Sequence, residues 1–179
     1  MTKTKSNTLK LTYAAVCLAL CLVLPFLIGQ IPQIGQALSP MHIPVLLCGF
    51  LCGWPYGLAV GFIAPLLRGA LFGMPPLMPT GISMAFELAA YGFLTGILYR
   101  ALPKKIPFIY VSLIIAMIGW RIVWGAARFV LAGLTATEFP FSAFLAGAVT
   151  GAIPGIILHI ILVPAIVIAL RKVDLIPNG

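Results

Sequence analysis

Three arginines and one glutamate lie inside apolar runs. At membrane depth such side chains pair with one another or hold a charged ligand. Arg68 interrupts IAPLLRGALF, Glu87 interrupts ISMAFELAAY, and Arg121 and Arg128 share IGWRIVWGAARFV. Arg121, Trp124 and Arg128 follow an i, i+3, i+7 pattern that puts them on one helical face. Two guanidiniums and an indole on one face suit an anionic ligand with an apolar body. One acid against two or three arginines leaves the neighbourhood positive, so a carboxylate or phosphate is the natural complement. Two plainer readings stand beside this one. Arg128, and in part Arg68, could snorkel to a nearby interface. Glu87 could form a purely structural ion pair with Arg68 or Arg121.

Other reactive side chains point to less. His42 lies near the outer end of its segment, and His159 sits alone in the middle of another, where a hydrogen-bonded packing role is the ordinary one. Cys17/Cys21 and Cys48/Cys52 are i, i+4 pairs that could each share a face. No His or Asp stands at ligand spacing from either pair, so they read as small hydrophobes and no metal or cofactor is expected. An intramembrane protease or lipid-modifying transferase needs clustered nucleophiles, paired carboxylates or metal ligands. Here there are one buried acid, two separated histidines and no Gly-x-Ser-x-Gly, which argues against an enzyme.

The elements that position these residues follow from composition. Hydrophobic residues make up 62% of the chain and charged residues 8%, with a mean hydropathy of +1.16. A soluble domain carries about 25% charged residues, so this is a membrane protein. With spans of roughly 20 residues, a chain of 179 has room for about six helices in a single domain, 1–179. Any ATP-hydrolysing machinery would be another chain. The net charge of +8 does not imply nucleic acid. Lys3, Lys5, Lys10, Arg100, Lys104, Lys105, Arg171 and Lys172 all flank apolar segments, and no basic face is interleaved with exposed aromatics. The apolar run Leu11 to Ile28 exceeds the roughly 7–15 residues of a signal-peptide core, so the first segment is expected to be a retained helix.

Six segments are expected, at about 9–28, 42–53, 58–72, 81–102, 108–134 and 142–170. Between them lie the loop GQIPQIGQALSP (29–40), a tight turn WPYG (54–57), GMPPLMPT (73–80), PKKIP (103–107) and TATEFPF (135–141). The loops at 29–40, 73–80 and 135–141 contain no Lys or Arg, whereas the two termini and the 103–107 connection are basic. By the positive-inside rule both termini are cytoplasmic and the three loops without Lys or Arg external. At about 1.5 Å rise per residue, Arg68 then lies roughly 15 Å and Arg121 roughly 20 Å from the cytoplasmic side, with Glu87 in the outer half. Ala15-x-x-x-Ala19 offers a small face for close approach of another helix, either a partner's or one within the bundle. Gly49, Gly53, Gly57 and Gly61 recur at i+4, which predicts dense packing of segments two and three. Trp54, Tyr56 and Tyr99 read as interfacial anchors.

Six short helices, Ala15-x-x-x-Ala19 on the first, and HIPVLLCGFLCGWPYG opening the second resemble the substrate-binding S-components of energy-coupling factor (ECF) transporters. The resemblance covers nearly the whole chain. It implies an all-α bundle of six transmembrane helices in the cytoplasmic membrane that captures a vitamin at the external face. It also implies docking, through Ala15 and Ala19, onto a transmembrane coupling subunit that carries two cytoplasmic ATPases. The family pocket, carried over, falls on Glu87, Arg121, Trp124 and Arg128, with Gln30, Gln33 and Gln36 in the capping loop; His42, near the external surface, joins them as a candidate substrate-binding residue. Arg68 would be a pocket-edge residue or the partner of Glu87. LRGALFGMPP (67–76) is most similar to the pantothenate-type branch. Pantothenate carries a carboxylate, which suits the arginine surplus; folate and phosphorylated vitamins would suit it too. The alternatives are a stand-alone secondary transporter of a small organic anion, for which no internal repeat is evident, and an intramembrane enzyme.

Overall fold

The structure, a computed structural model, describes residues 3–27, 35, 37–135, 140, 142, 153–173 and 176. Where lipid offers no hydrogen bonds to the backbone, a helix satisfies its own polar groups. Six helices account for most of the described residues: α1 (Lys3–Leu27), α2 (His42–Cys52), α3 (Trp54–Phe72), α4 (Ile82–Ala101), α5 (Ile106–Thr135) and α6 (Ile153–Lys172). A short wide turn, Leu77–Gly81, leads into α4. Among the described residues, five stretches are long and apolar enough to cross a membrane: Asn7–Leu27, Trp54–Phe72, Leu77–Ala101, Ile106–Leu134 and Ile153–Lys172.

Helix α2 has only 11 residues, and every one of them is buried. A helix that is apolar all round belongs inside. α2 accordingly forms the centre, with α1, α3, α4 and α6 packed on it, while α5 closes the wall between α4 and α6. Its thiol-bearing face meets α1. The Cys52 Sγ–H donates to the Lys10 carbonyl at 3.3 Å, and Cys21 of α1 reaches the Met41 carbonyl at 3.6 Å. All four cysteines are free and buried, acting as small packing residues.

The expected tight turn at 54–57 is corrected: these residues form the first turn of α3. The reversal occurs at Gly53 alone, whose φ of 92° favours glycine. Pro55 then fits the first helical turn, where its missing N–H has no partner to lose.

The glycine run makes the predicted contact, against a matching set on α4. A Cβ on Gly57 would lie 2.5 Å from the Gly92 carbonyl oxygen, and one on Gly49 2.8 Å from it. Gly61 faces the Leu88 backbone and Gly96 faces the Trp54 backbone. α3 and α4 therefore touch main chain to main chain, the close approach that small residues allow in lipid. Outward faces are apolar. α5 exposes Ile118, Ile122 and Phe129, and α1 exposes Val16, Val23 and Leu27. Ala15 and Ala19 lie on that exposed face of α1, while Ala14, Cys17 and Cys21 turn inward.

Candidate functional site

The first residue of α2 and the middle of α4 supply the central pair. His42 begins α2, its backbone N–H bonded to the Ser39 carbonyl at 3.0 Å. Glu87 and Tyr91 stand one turn apart on α4 and so share a face. His42 and Glu87 are 4% and 6% exposed, and the imidazole Nε2 lies 2.6 Å from Glu87 Oε1. The ring nitrogen and the carboxylate oxygen share one hydrogen bond. Buried acids survive in apolar surroundings when paired in this way.

Aromatic rings enclose the imidazole. The Tyr91 ring meets it edge-on at 5.1 Å between centroids, and His159 of α6 stacks on it at 5.8 Å. Trp120 of α5 lies 6.3 Å from His42 and stacks on Tyr91 at 5.6 Å. Trp124, half-buried, meets Trp120 at 6.1 Å. The Arg121 guanidinium carbon lies 5.4 Å from the Trp120 ring centroid, and its Nη1 donates to the Met117 carbonyl at 2.8 Å. Arg128 stands two turns along α5 from Arg121, half-buried. Four helices thus converge on one spot, bringing together a carboxylate, two imidazoles, a phenol, two indoles and a guanidinium.

Polar atoms in this cluster are left over. His42 Nδ1, Trp120 Nε1 and His159 Nε2 are buried and bond no other group among the described residues. An unsatisfied buried donor or acceptor costs about 1–3 kcal/mol, so three around one pair of rings need an explanation. A ligand that offers hydrogen-bonding groups to these three atoms would supply one.

The expected Glu87–Arg68 pair is corrected. Glu87 bonds His42, and Arg68 turns to α1. Arg68 is 2% exposed and donates from Nη1 to the Leu22 carbonyl. Its guanidinium carbon lies 4.7 Å from the Phe26 ring centroid and 5.4 Å from that of Phe72. Two aromatic faces and a carbonyl stabilise a cation that has no carboxylate beside it among the described residues. Arg68 is a clamp between α1 and α3, outside the His42 cluster.

Of the residues expected at the site, the structure brings together His42, Glu87, Arg121 and Trp124. Gln30, Gln33 and Gln36 lie outside the described residues, as do 136–139 and 141. Sequence reasoning did not place Tyr91, Trp120 or His159 there. The available signals were the i+4 spacing of Tyr91 from Glu87 and the presence of a second intramembrane histidine.

Residues 9–167 match the family model described as ECF transporter, substrate-specific component. No curated protein and no solved structure matches the chain.

Proposed function

The chain belongs to the family of ECF transporter substrate-specific components, and from that premise we propose that it captures an anionic vitamin with high affinity. The best candidate is pantothenate. As a member of that family it is a multi-pass membrane protein that binds a small-molecule substrate and associates with an ECF module; the family is not one of enzymes. In the finer reading, the vitamin enters from the external face of the cytoplasmic membrane. A transmembrane coupling subunit, driven by two cytoplasmic ATPases, then exposes it to the cytoplasm. Both termini are cytoplasmic in this arrangement, and residues 1–179 act as one binding domain.

The observation that carries the reading is the buried His42–Glu87 pair set among Tyr91, Trp120 and His159 with three unpartnered polar atoms. Trp120 and Trp124 offer flat apolar faces to the body of the ligand. Arg121 and Arg128 sit along the same helix to receive its carboxylate as charge-assisted hydrogen bonds. Polar groups elsewhere on the ligand complete the hydrogen bonding of His42, Trp120 and His159. Gln30, Gln33 and Gln36 belong to the loop that closes over the site, and Arg68 ties the outer part of α1, which feeds that loop, to α3. Ala15 and Ala19 present the docking face for the coupling subunit.

Titration of the detergent-purified protein with pantothenate, followed by intrinsic tryptophan fluorescence, tests this directly. Trp120 and Trp124 should report saturable binding at nanomolar concentration. Arg121→Gln or Arg128→Gln should weaken it by at least about tenfold, the loss of roughly 1.4 kcal/mol. Binding of a different vitamin would replace pantothenate. No response across a panel of vitamins, in protein shown to be folded, would overturn the reading.

A further inference from the structure

The end of the bundle away from the His42 cluster concentrates cations. Arg100 stands in the last turn of α4, Lys104 and Lys105 lie between α4 and α5, and Arg171 and Lys172 end α6. Tyr99 is 12 residues along α4 from Glu87, hence about 18 Å away. The fold draws three of these cations into one corner. Arg171 Nη2 donates to the Lys104 carbonyl at 2.6 Å. Lys104 Nζ donates to the Tyr99 carbonyl at 2.8 Å and lies 3.8 Å from the Tyr99 ring centroid. Burial, and then the charges of Arg171 and Arg100, hold the Lys104 ammonium below its ordinary lysine range.

Membrane orientation alone does not require this convergence, because cations scattered along the same side set topology equally well. Bringing them together costs repulsion, and Glu87 is the only acid among the described residues. Asp174 lies outside those residues. Even counting it against Arg100, Lys104 and Arg171 leaves the corner at three minus one, or two positive charges. A second observation points to the same place. The Tyr99 hydroxyl is buried and unpartnered among the described residues. A phenolic O–H on a ring capped by an ammonium group, with guanidinium groups on the same corner, is a donor set for a phosphate oxygen. Exposed apolar side chains lie next to these cations in the chain: Ile97, Ile106 and Val173. Acyl chains can run along them, which favours a lipid over a free anion.

We propose that the corner formed by Tyr99, Arg100, Lys104 and Arg171 binds the phosphate of an anionic glycerophospholipid. Arg100, Lys104 and Arg171 neutralise the phosphate, and the Tyr99 hydroxyl donates to one of its oxygens. Basic pockets between transmembrane helices at a membrane surface hold lipid headgroups in this manner. The site is independent of the vitamin reading.

The test uses the full chain in detergent, with thermal unfolding measured against added phosphatidylglycerol, phosphatidylcholine or inorganic phosphate. Phosphatidylglycerol should raise the unfolding temperature saturably, and the other two should not. Tyr99→Phe and Arg100→Gln break no bond among the described residues, so they should fold as the wild type does. Arg100→Gln should weaken the phosphatidylglycerol effect about fivefold, as expected for one cation near a lipid phosphate. Tyr99→Phe should weaken it in the same direction, and Lys5→Gln, a cation elsewhere in the sequence, should leave it unchanged. Equal stabilisation by phosphatidylcholine would overturn the proposal. So would an equal effect of inorganic phosphate, which would mark a free-phosphate site, or an equal loss with Lys5→Gln, which would mark general surface attraction.

Discussion

At the residue scale, the site depends on how one buried carboxylate is satisfied. Glu87 is held by His42, 45 positions earlier in the chain, and the imidazole in turn is fixed by Tyr91, Trp120 and His159. Two replacements separate the hydrogen bond from the charge. Glu87→Gln keeps a carbonyl oxygen that can accept from His42 Nε2–H. Glu87→Ala removes the acceptor and leaves both imidazole nitrogens without partners. The alanine variant should therefore be less stable than the glutamine variant by about 1–3 kcal/mol, read as a lower unfolding temperature in detergent. Equal stabilities would mean that the bond contributes nothing to the fold. Arg68 illustrates the other way to keep a charge inside: its guanidinium rests between Phe26 and Phe72 and bonds the Leu22 carbonyl, with no acid involved.

At the element scale, the decisive contact is the one between α3 and α4. Their main chains meet through Gly57, Gly61, Gly92 and Gly96, and this draws α4 close enough for Glu87 to reach the first residue of α2. Gly57→Ala would force a Cβ to within 2.5 Å of the Gly92 carbonyl oxygen, so the helices must separate. Overpacking of this kind costs about 1–3 kcal/mol. Separation should also lengthen the His42–Glu87 contact, lowering both thermal stability and vitamin affinity. Gly133→Ala, where an added Cβ meets nothing within 4 Å, is the control and should be neutral or slightly stabilising. If the two variants unfold at the same temperature, the glycine contact does not set the spacing.

At the scale of the whole molecule, the proposed binding site and the proposed docking face lie apart. The His42 cluster lies inside, among α2, α4, α5 and α6, whereas Ala15 and Ala19 stand on the outer face of α1. Ala15→Trp or Ala19→Trp adds bulk where only lipid or a partner can meet it. Vitamin binding to the purified subunit should be unchanged, and copurification with the coupling subunit should be lost. Normal assembly of both variants would refute the docking role. The cationic corner at Tyr99 and Arg171 belongs to the same scale, since only the tertiary fold joins the end of α4 to the end of α6.

The elements were legible in the sequence because lipid makes few demands, and those demands are local. A span must be long and apolar, charges must flank it, and turns need glycine or proline, so α3 to α5 began and ended within a few residues of expectation. Even the 11-residue α2 fell within an expected segment, 42–53. The i+4 glycines announced close packing, though not that Gly92 and Gly96 would be the other half of it. What remained hidden was which side chains meet. A helix that is apolar on every side carries no stripe to say which face turns inward, so rotation about its axis is set by packing alone. That rotation brought Glu87, Tyr91, Trp120 and His159 around His42 and sent Arg68 to α1. Residue types and spacing determined that charges would lie within apolar helices. Long-range helix packing decided their partners, because in lipid the fit of small surfaces selects the contact.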